Sequence, residues 1–448
     1  VPPKRQLRLI RALRHTFMNV YRRLFSVVLL ANLVGMVVEL LKLRHLDSFR
    51  SLNTSHLATA ASANIMVGTM IRQDYVINVL FRTAWLIPHS APMWVRRRIA
   101  KIYEFGGVHS SSCICGTIWF LILTVVNSLN YRSRMPSIGA STLGVTYSLA
   151  GILVAIIVMA YPGVRFKHHN WFEISHRFGG WTAILLFWFQ IIISLRDSVS
   201  DQSLSSALVK EPAFWFLIVI TFHAIWPWVF LRKWTFRAEK LSNHAVRLHF
   251  DQTLQPFVGI SISKSPLMEW HPFATFPAIP DEESGLKKSG GGSLIVSIAG
   301  DWTRKTASDP EPQYWVRGFP RTGVLSMACI FKRVVIVTTG SGIGPCLGVM
   351  LDAVRQRHVA VRVLWSAPSV LGIYGPQVLK AVQDVDPQAA IIDTRTQGRP
   401  NMIELAYNMY KESEAEAVFV ISNPMLTRKI VYGMESRGIP AYGPIWDS

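Results

Sequence analysis

The chain has 448 residues, half of them apolar, with four cysteines and a formal net charge of +20. That length suits two or three domains, and its positive mean hydropathy is unusual for a soluble protein of this size. The basic residues crowd against apolar stretches and no nucleic-acid-binding module pattern occurs, which points to an anionic membrane surface and away from nucleic acid. The cysteines offer no disulfide framework: Cys113 and Cys115 lie too close together inside an apolar run and read as packing residues. The first residue is Val1 rather than Met, so a piece trimmed from something longer is expected.

Six apolar runs long enough to span a bilayer are expected at 24–41, 56–71, 109–126, 140–161, 178–195 and 212–231. The second, HLATAASANIMVGTMI, is short and rich in small residues. In an alternative reading, YVINVLFRTAWLI lies flat at the interface as an amphipathic segment. Basic residues concentrate in the N-terminal arm (Lys4, Arg5, Arg8, Arg11, Arg14), after the second run (Arg72, Arg82, Arg96, Arg97, Arg98) and after the sixth (Arg232, Lys233, Arg237). By the positive-inside rule this predicts six crossing helices with both termini cytosolic; the plasma membrane is the expected location of such an integral protein, although the charge pattern does not say which membrane it is. The long basic arm argues against a cleavable signal peptide in the first run.

After residue 231 the texture changes. HAVRLHF, GISIS and SLIVSIAG are short β-type runs, and PDEESGLKKSGGGS reads as a flexible insertion between two strands. From about 331 strands alternate with helical patterns, which predicts a parallel sheet with crossover helices. The expected organisation is a helical domain over 1–231, a small β domain over 232–330 and an α/β domain over 331–448.

VVIVTTGSGIGPCLGVML is a buried strand, a glycine turn and a helix start. Gly340, Gly342 and Gly344 let backbone approach a phosphate, the helix start offers free N–H groups, and Pro345 suits the first turn. A tight strand–helix turn without a ligand is the alternative. The spacing is not that of the Rossmann fingerprint.

The strand leading into GSGIGP resembles the nicotinamide-domain signature of the ferredoxin–NADP reductase superfamily. EWHPFATF at 269–276 resembles the His-Pro-Phe-Ser/Thr element with which ferric reductases and NADPH oxidases bind FAD. GDWTRK at 300–305 resembles the next element of that domain, a Gly-x-Trp-Thr strand end, and GRPN at 398–401 the segment that meets the adenosine phosphate of NADPH. With the apolar runs, the chain resembles the ferric reductase and NADPH oxidase superfamily over nearly its whole length. GGVHSSSC, FEISHRFGGW and PAYGPIWDS look most like the fungal TmpA-type membrane flavoproteins.

The resemblance implies a six-helix transmembrane bundle, an FAD-binding β-barrel domain and an α/β nicotinamide domain. It implies FAD held by His271, Pro272, Phe273, Thr275, Trp302 and Thr303, with Trp446 covering the flavin ring. NADPH is implied on Gly340, Gly342, Gly344, Pro345 and Arg399, with NADH also possible. Three departures stand out. Ala274 shifts the hydroxyl of the first motif by one residue, to Thr275. Ser422-Asn423-Pro424 stands where the family has Cys-Gly-Pro. The position after LWS lacks an arginine, which leaves Arg395 and Arg399 to discriminate between the nucleotides.

Heme-bearing members hold two hemes with two histidines on each of the third and fifth helices, about 13 residues and roughly 20 Å apart. Here His109 and His176 open those runs, but Ile122, Leu123 and Thr124 on one helix and Phe189, Gln190 and Ile191 on the other offer no second pair. The resemblance therefore leaves at most one inner b-type heme on His109 and His176. The alternative is that these histidines cap helices or meet lipid headgroups. Glu173 and Arg177 are expected to pair with phosphate or a neighbouring helix, and His223 to be a satisfied bundle histidine.

The leading expectation is an NAD(P)H-dependent FAD oxidoreductase in the membrane. It passes electrons to an unidentified acceptor at the cytosolic face or within the bilayer, and lipids surround it. The cofactors carry the chemistry, and no side chain is needed as acid or base. Alternatives are a redox-sensing signalling or developmental protein with weak turnover, and a transmembrane ferric reductase or NADPH oxidase using one heme. A transporter is disfavoured, since no run is broken at mid-membrane by Gly and Pro.

Overall fold

The computed structural model describes residues 1–42, 46–133, 138–198, 203–279, 291–357 and 359–445. The N-terminal half is helical: α1 (Arg8–Arg11), α2 (Val20–Leu41), α3 (Thr54–Met70), α4 (Asp74–Trp85), α5 (Met93–Ile99), α6 (Gly106–Arg132), α7 (Ala140–Ala160), α8 (Pro162–Lys167), α9 (His169–Ser198), α10 (Leu204–Lys210) and α11 (Pro212–Val229). Local chemistry marks the starts. Asn19 and Asn53 accept hydrogen bonds from the first-turn N–H groups of α2 and α3, and Pro212 opens α11.

Among the described residues, five of these helices, α2, α6, α7, α9 and α11, are long and apolar enough to cross a membrane. The second apolar run forms α3, which at 17 residues is shorter than those five. The bundle core packs Leu57 and Ala61 of α3, Phe120 and Leu123 of α6, Leu149 and Leu153 of α7, Phe187 and Ile191 of α9, and Leu217 of α11. Several polar groups within it are paired. Asn32 and Asn64 exchange amide hydrogen bonds of 3.0 and 2.8 Å, and the Trp119 indole donates to Asn32 at 2.8 Å. Leu30, Val34, Val158, Leu185 and Ile225 point outward as an exposed apolar belt.

The segment YVINVLFRTAWLI departs from the expected interfacial helix. It forms α4, but Ile77, Phe81 and Ala84 are buried in one core with Phe257, Met327, Ile336 and Leu347 of the C-terminal half. Protein, not lipid, covers its apolar face.

The middle of the chain carries β1 (Arg232–Thr235), β2 (Arg237–Lys240), β3 (Ala245–Phe250), β4 (Val258–Ser263), β5 (His271–Ala274), β6 (Phe276–Pro277), β7 (Gly292–Ser297), α12 (Asp301–Ser308), β8 (Gln313–Val316) and β9 (Arg321–Thr322). The strands form two open sheets, β1-β8-β4-β5 with β9 on β4, and β2-β3-β7-β6. Among the described residues neither sheet closes on itself, so the expected barrel is instead a pair of packed sheets. Their shared core is aromatic, with Trp234, Phe236, Phe250 and Tyr314. Most of the expected insertion, 280–290, lies outside the described residues.

The last part alternates strictly: β10 (Arg333–Thr339), α13 (Ile343–Arg357), β11 (Ala360–Ala367), α14 (Val370–Val385), β12 (Ala390–Asp393), α15 (Met402–Glu412), β13 (Ala417–Ile421), α16 (Pro424–Glu435) and β14 (Ala441–Tyr442). The sheet is wholly parallel in the order β12-β11-β10-β13-β14. Its central strands are continuous apolar runs because both faces are covered by helices. The order reverses between β10 and β13, and in open parallel sheets the crevice at such a switch point is where ligands bind.

Candidate functional site

Gly340 follows β10 and Ser422 follows β13, so both flank the switch point. Gly340 has φ +53°, a left-handed turn that favours glycine, and the Trp365 indole donates to its carbonyl at 3.1 Å. A β-carbon on Gly342 would sit 2.6 Å from both the Ile421 carbonyl oxygen and Thr338 Oγ1. Backbone closeness therefore requires that glycine with or without a phosphate. Gly344 has only ordinary contact with Ile295, and Pro345 lies in the first turn of α13.

Beside this turn lies a cavity of about 360 Å³ to which three parts of the chain contribute. Val258–Ser261 and Pro272–Thr275 form one wall, and Pro345, Gly348, Val349 and Ile421 form another. The helical half supplies Arg72, Phe81 and Phe105. Of the residues expected to hold FAD, Pro272, Phe273 and Thr275 line this cavity. The Thr275 hydroxyl is already committed, donating to the Val258 carbonyl at 2.7 Å.

His271 does not line the cavity. Its ring stacks on Trp302 at 4.1 Å, because alternate residues of β5 point to opposite faces. GDWTRK is not a strand end but the start of α12. The Thr303 hydroxyl accepts from the Ala299 and Gly300 N–H groups at 2.8 and 2.9 Å, a helix-capping role. Trp302 thus supports the motif strand from behind, and Thr303 caps the helix that carries it. Trp446 lies outside the described residues, but Pro444 and Ile445 just before it line the cavity.

Sequence reasoning missed Gly348, Arg72 and Arg321. A β-carbon on Gly348 would overlap the Thr275 carbonyl oxygen, so this glycine lets α13 lie directly on the motif strand. Its signal was present as a second small residue four positions after Gly344. Arg72, from the turn after α3, and Arg321, from β9, both line the cavity. Burial, and then the Arg321 charge, push the Arg72 guanidinium down to about 10. Nearby, Arg317 lies between the rings of Trp228 and Trp270, 5.0 and 4.6 Å from their centroids, joining α11 to the β domain. Arg177, expected to meet phosphate or a neighbouring helix, makes its hydrogen bonds among the described residues to a loop instead. It donates to the Leu267 and Met268 carbonyls at 2.8 and 2.6 Å, docking α9 against the loop before β5.

At the far edge of the sheet Arg395 and Arg399 are exposed. The Asp393 carboxylate at the end of β12 accepts from the backbone N–H groups of Ser369 and Arg395, both at 2.9 Å. Ser422 Oγ and Thr339 Oγ1 share a hydrogen bond. Asn423 caps α16 by accepting from Leu426 N at 2.9 Å, and Pro424 opens that helix.

In the bundle the rings of His109 and His176 lie 6.2 Å apart, nearly perpendicular. His109 Nδ1 donates to the Gly68 carbonyl at 2.8 Å, while His176 Nδ1 is buried without a hydrogen-bond partner among the described residues. Eleven residues further along each helix, on the same face, Phe120 and Phe187 meet at 5.4 Å. The space they leave, lined also by Ser62 and Gln190, is about 30 Å³, far too small for a second heme. Both ring nitrogens of His223 are taken, by the Val219 carbonyl at 2.6 Å and by the Tyr75 hydroxyl.

Residues 324–448 match the family model described as Adenylate-forming reductase 03009, C-terminal domain. The whole chain is 42% identical, over 451 residues, to Adenylate-forming reductase 06235 of Coprinopsis cinerea. It is 40% identical over 449 residues to Adenylate-forming reductase 03009 of the same fungus. In both cases the match covers 100% of this chain and 42% of the relative, so the chain spans less than half of these longer proteins. Among solved structures, a ferredoxin reductase of carbazole 1,9a-dioxygenase aligns at 9% identity over 48% of this chain and 69% of its own, with TM-score 0.36. The CS-b5R domains of human Ncb5or align at 12% identity over the same shares, with TM-score 0.39. The chain is thus similar along its full length to part of proteins named adenylate-forming reductases.

Proposed function

We propose that the chain is a membrane flavoprotein oxidoreductase that carries reducing equivalents from NAD(P)H through FAD to an acceptor at the cytosolic face or within the bilayer. The observation that carries this reading is the 360 Å³ cavity, where Pro272–Thr275, the start of α13 and the end of β13 converge at the switch point of a parallel sheet. Two arginines face the cavity, which suits a phosphate-bearing ligand, and its walls are otherwise largely apolar, which suits a flavin ring. A bound flavin would supply hydride acceptance and one-electron release.

The chain's own residues would position the reactants. The Gly340–Gly344 turn and the start of α13 would take the nicotinamide pyrophosphate. Arg395 and Arg399 would meet the adenosine end, the source of the preference for NADPH. Pro272 and Phe273 would bound the flavin. If the chain carries a heme, His109 and His176, whose rings are 6.2 Å apart, would be the residues to hold a single inner one; the Phe120–Phe187 contact at the next level speaks against an outer one, and the alternative is a bundle without heme. The reading is tested by purifying the chain in detergent and adding NADPH without oxygen. Flavin absorbance that bleaches supports it, and protein with no flavin and no NAD(P)H oxidation sinks it.

A second reading concerns the acceptor. The relatives' name joins adenylate formation to reduction. On that basis the acceptor is an adenylate-activated carboxyl group, reduced by two electrons to the aldehyde with loss of AMP. NADPH oxidation that depends on an added acyl adenylate would support it, and indifference to that substrate would remove it.

A further inference from the structure

The N-terminal arm carries an apolar face left open among the described residues. Residues 8–17 are helical, first as α1 and then as a wider π-helical turn over Ala12–Phe17. Arg11, Ala12 and His15 are half-buried, whereas Leu9, Leu13 and Phe17, spaced four residues apart, are 84%, 59% and 61% exposed. Three large apolar side chains in one stripe of a solvated helix are unfavourable in water and mark a contact surface. The charges around the stripe have one sign. Arg8 and Arg14 on the same helix, and Arg22 and Arg23 just after it, are exposed, and no acidic residue precedes Glu39. Only Met18 and Asn19 separate Phe17 from α2, a helix apolar enough to cross a membrane and with no residue buried in the protein. The other side of the arm grips the α/β domain. The Arg5 N–H donates to the Ser436 carbonyl at 2.8 Å, Arg437 Nε donates to the Pro2 carbonyl at 2.8 Å, and His15 Nδ1 meets Glu435 at 3.1 Å.

We propose that residues 8–17 are an interfacial helix for anionic phospholipid of the cytosolic leaflet, and that lipid binding there straps the α/β domain to the bilayer. The inference rests on the membrane part of the reading above and is independent of its flavin part. Leu9, Leu13 and Phe17 enter the boundary between headgroups and acyl chains, while Arg8 and Arg14 meet the anionic headgroups. The position favours lipid over a protein partner, because the membrane-crossing helix α2 begins just beyond the stripe and holds it at the bilayer surface. Since the same arm is hydrogen-bonded to the end of α16, fixing the arm on the leaflet also fixes that edge of the α/β domain.

The test places the full chain in nanodiscs of phosphatidylcholine alone or with phosphatidylserine added. A fluorophore on Leu13→Cys reports insertion through its quenching by lipids that carry a nitroxide high on the acyl chain, with the signal of the identically treated parent subtracted. Quenching should be stronger by roughly twofold or more with phosphatidylserine, and raised salt should weaken it. Adding Arg8→Gln and Arg14→Gln should bring it down to the phosphatidylcholine level, and adding Leu9→Ser and Phe17→Ser should abolish it in both lipids. Amide hydrogen exchange of α16 should be slower with phosphatidylserine in the parent but not in the Arg8→Gln, Arg14→Gln variant. The altered residues are all exposed, so these variants should melt with the parent. Absence of lipid quenching at Leu13 overturns the proposal, whether the face is open to water or, as dilution-dependent fluorescence would show, covered by a second copy. Quenching indifferent to phosphatidylserine overturns the anionic-lipid assignment, and α16 exchange indifferent to it overturns the strap. A parent that does not enter nanodiscs, or that leaves membranes on alkaline washing, would instead sink the membrane reading itself.

Discussion

Arg96 of α5 and Glu416, just before β13, form a two-pronged ion pair of 2.8 and 3.0 Å across 320 residues of sequence. Arg96 is only 5% exposed, and the same carboxylate also accepts the Lys332 backbone N–H at 2.6 Å. Burial alone would raise the Glu416 pKa, but the Arg96 and Lys332 hydrogen bonds outweigh it and hold the carboxyl below its usual range. This pair fastens the segment after α4 to the edge of the α/β domain.

Removing one member leaves a buried charge uncompensated. Arg96→Met and Glu416→Leu should each destabilise the chain by about 3 kcal/mol, and the double variant by less than the sum of the two. A double-mutant cycle in detergent, followed by thermal unfolding, measures this. Additive losses would mean the pair does not couple.

Glu435 at the end of α16 receives His15 at 3.1 Å and Lys101 at 2.6 Å, bringing the N-terminal arm and the α5–α6 connection onto the α/β domain. Burial pushes its pKa up, yet His15 and Lys101 together bring it below the ordinary glutamate value. A carboxyl depressed in the folded state stabilises above its unfolded pKa, near 4.3, and that stabilisation is lost as pH falls through the lower folded value. Protease cleavage within residues 1–19 should therefore accelerate below about pH 4. In Glu435→Gln it should be fast already at pH 7. Cleavage independent of pH in the parent would contradict the assignment.

Gly348 lies where α13 touches the Thr275 carbonyl. Gly348→Ala should push the helix off the motif strand and cost about 1–3 kcal/mol, with flavin retention reduced. Gly344→Ala, whose added methyl meets only ordinary contact with Ile295, should be tolerated. Thermal unfolding and the flavin-to-protein ratio of the two variants distinguish the sites, and equal behaviour would refute the packing argument.

Heme content should not exceed one per chain, because Phe120 and Phe187 occupy the level where a second would lie. A pyridine hemochromogen titration gives the stoichiometry, and any b-type band should vanish in His176→Ala. Two hemes per chain would contradict the packing observed.

Much of this protein was legible as a string because the signals are local. Run length and hydropathy located five helices that are long and apolar enough to cross a membrane among the described residues, whereas the second of the six expected runs folds into a 17-residue helix that falls short of that length. The change from continuous apolar runs to alternating strands and helices exposed the parallel sheet, and the glycines after VVIVTT marked its tight strand–helix turn. Even where GDWTRK was read as a strand end, the Thr303 that caps its helix was already in view.

The tertiary structure decided what no window of sequence contains. It set the apolar face of α4 against the α/β core rather than lipid, turned His271 from the cavity onto Trp302, and brought Arg72 to the same cavity as Arg321. Each outcome depends on contacts between segments far apart in the chain. Secondary structure follows from short-range propensity and periodicity, whereas the partner of a buried face or charge is fixed only once distant elements pack.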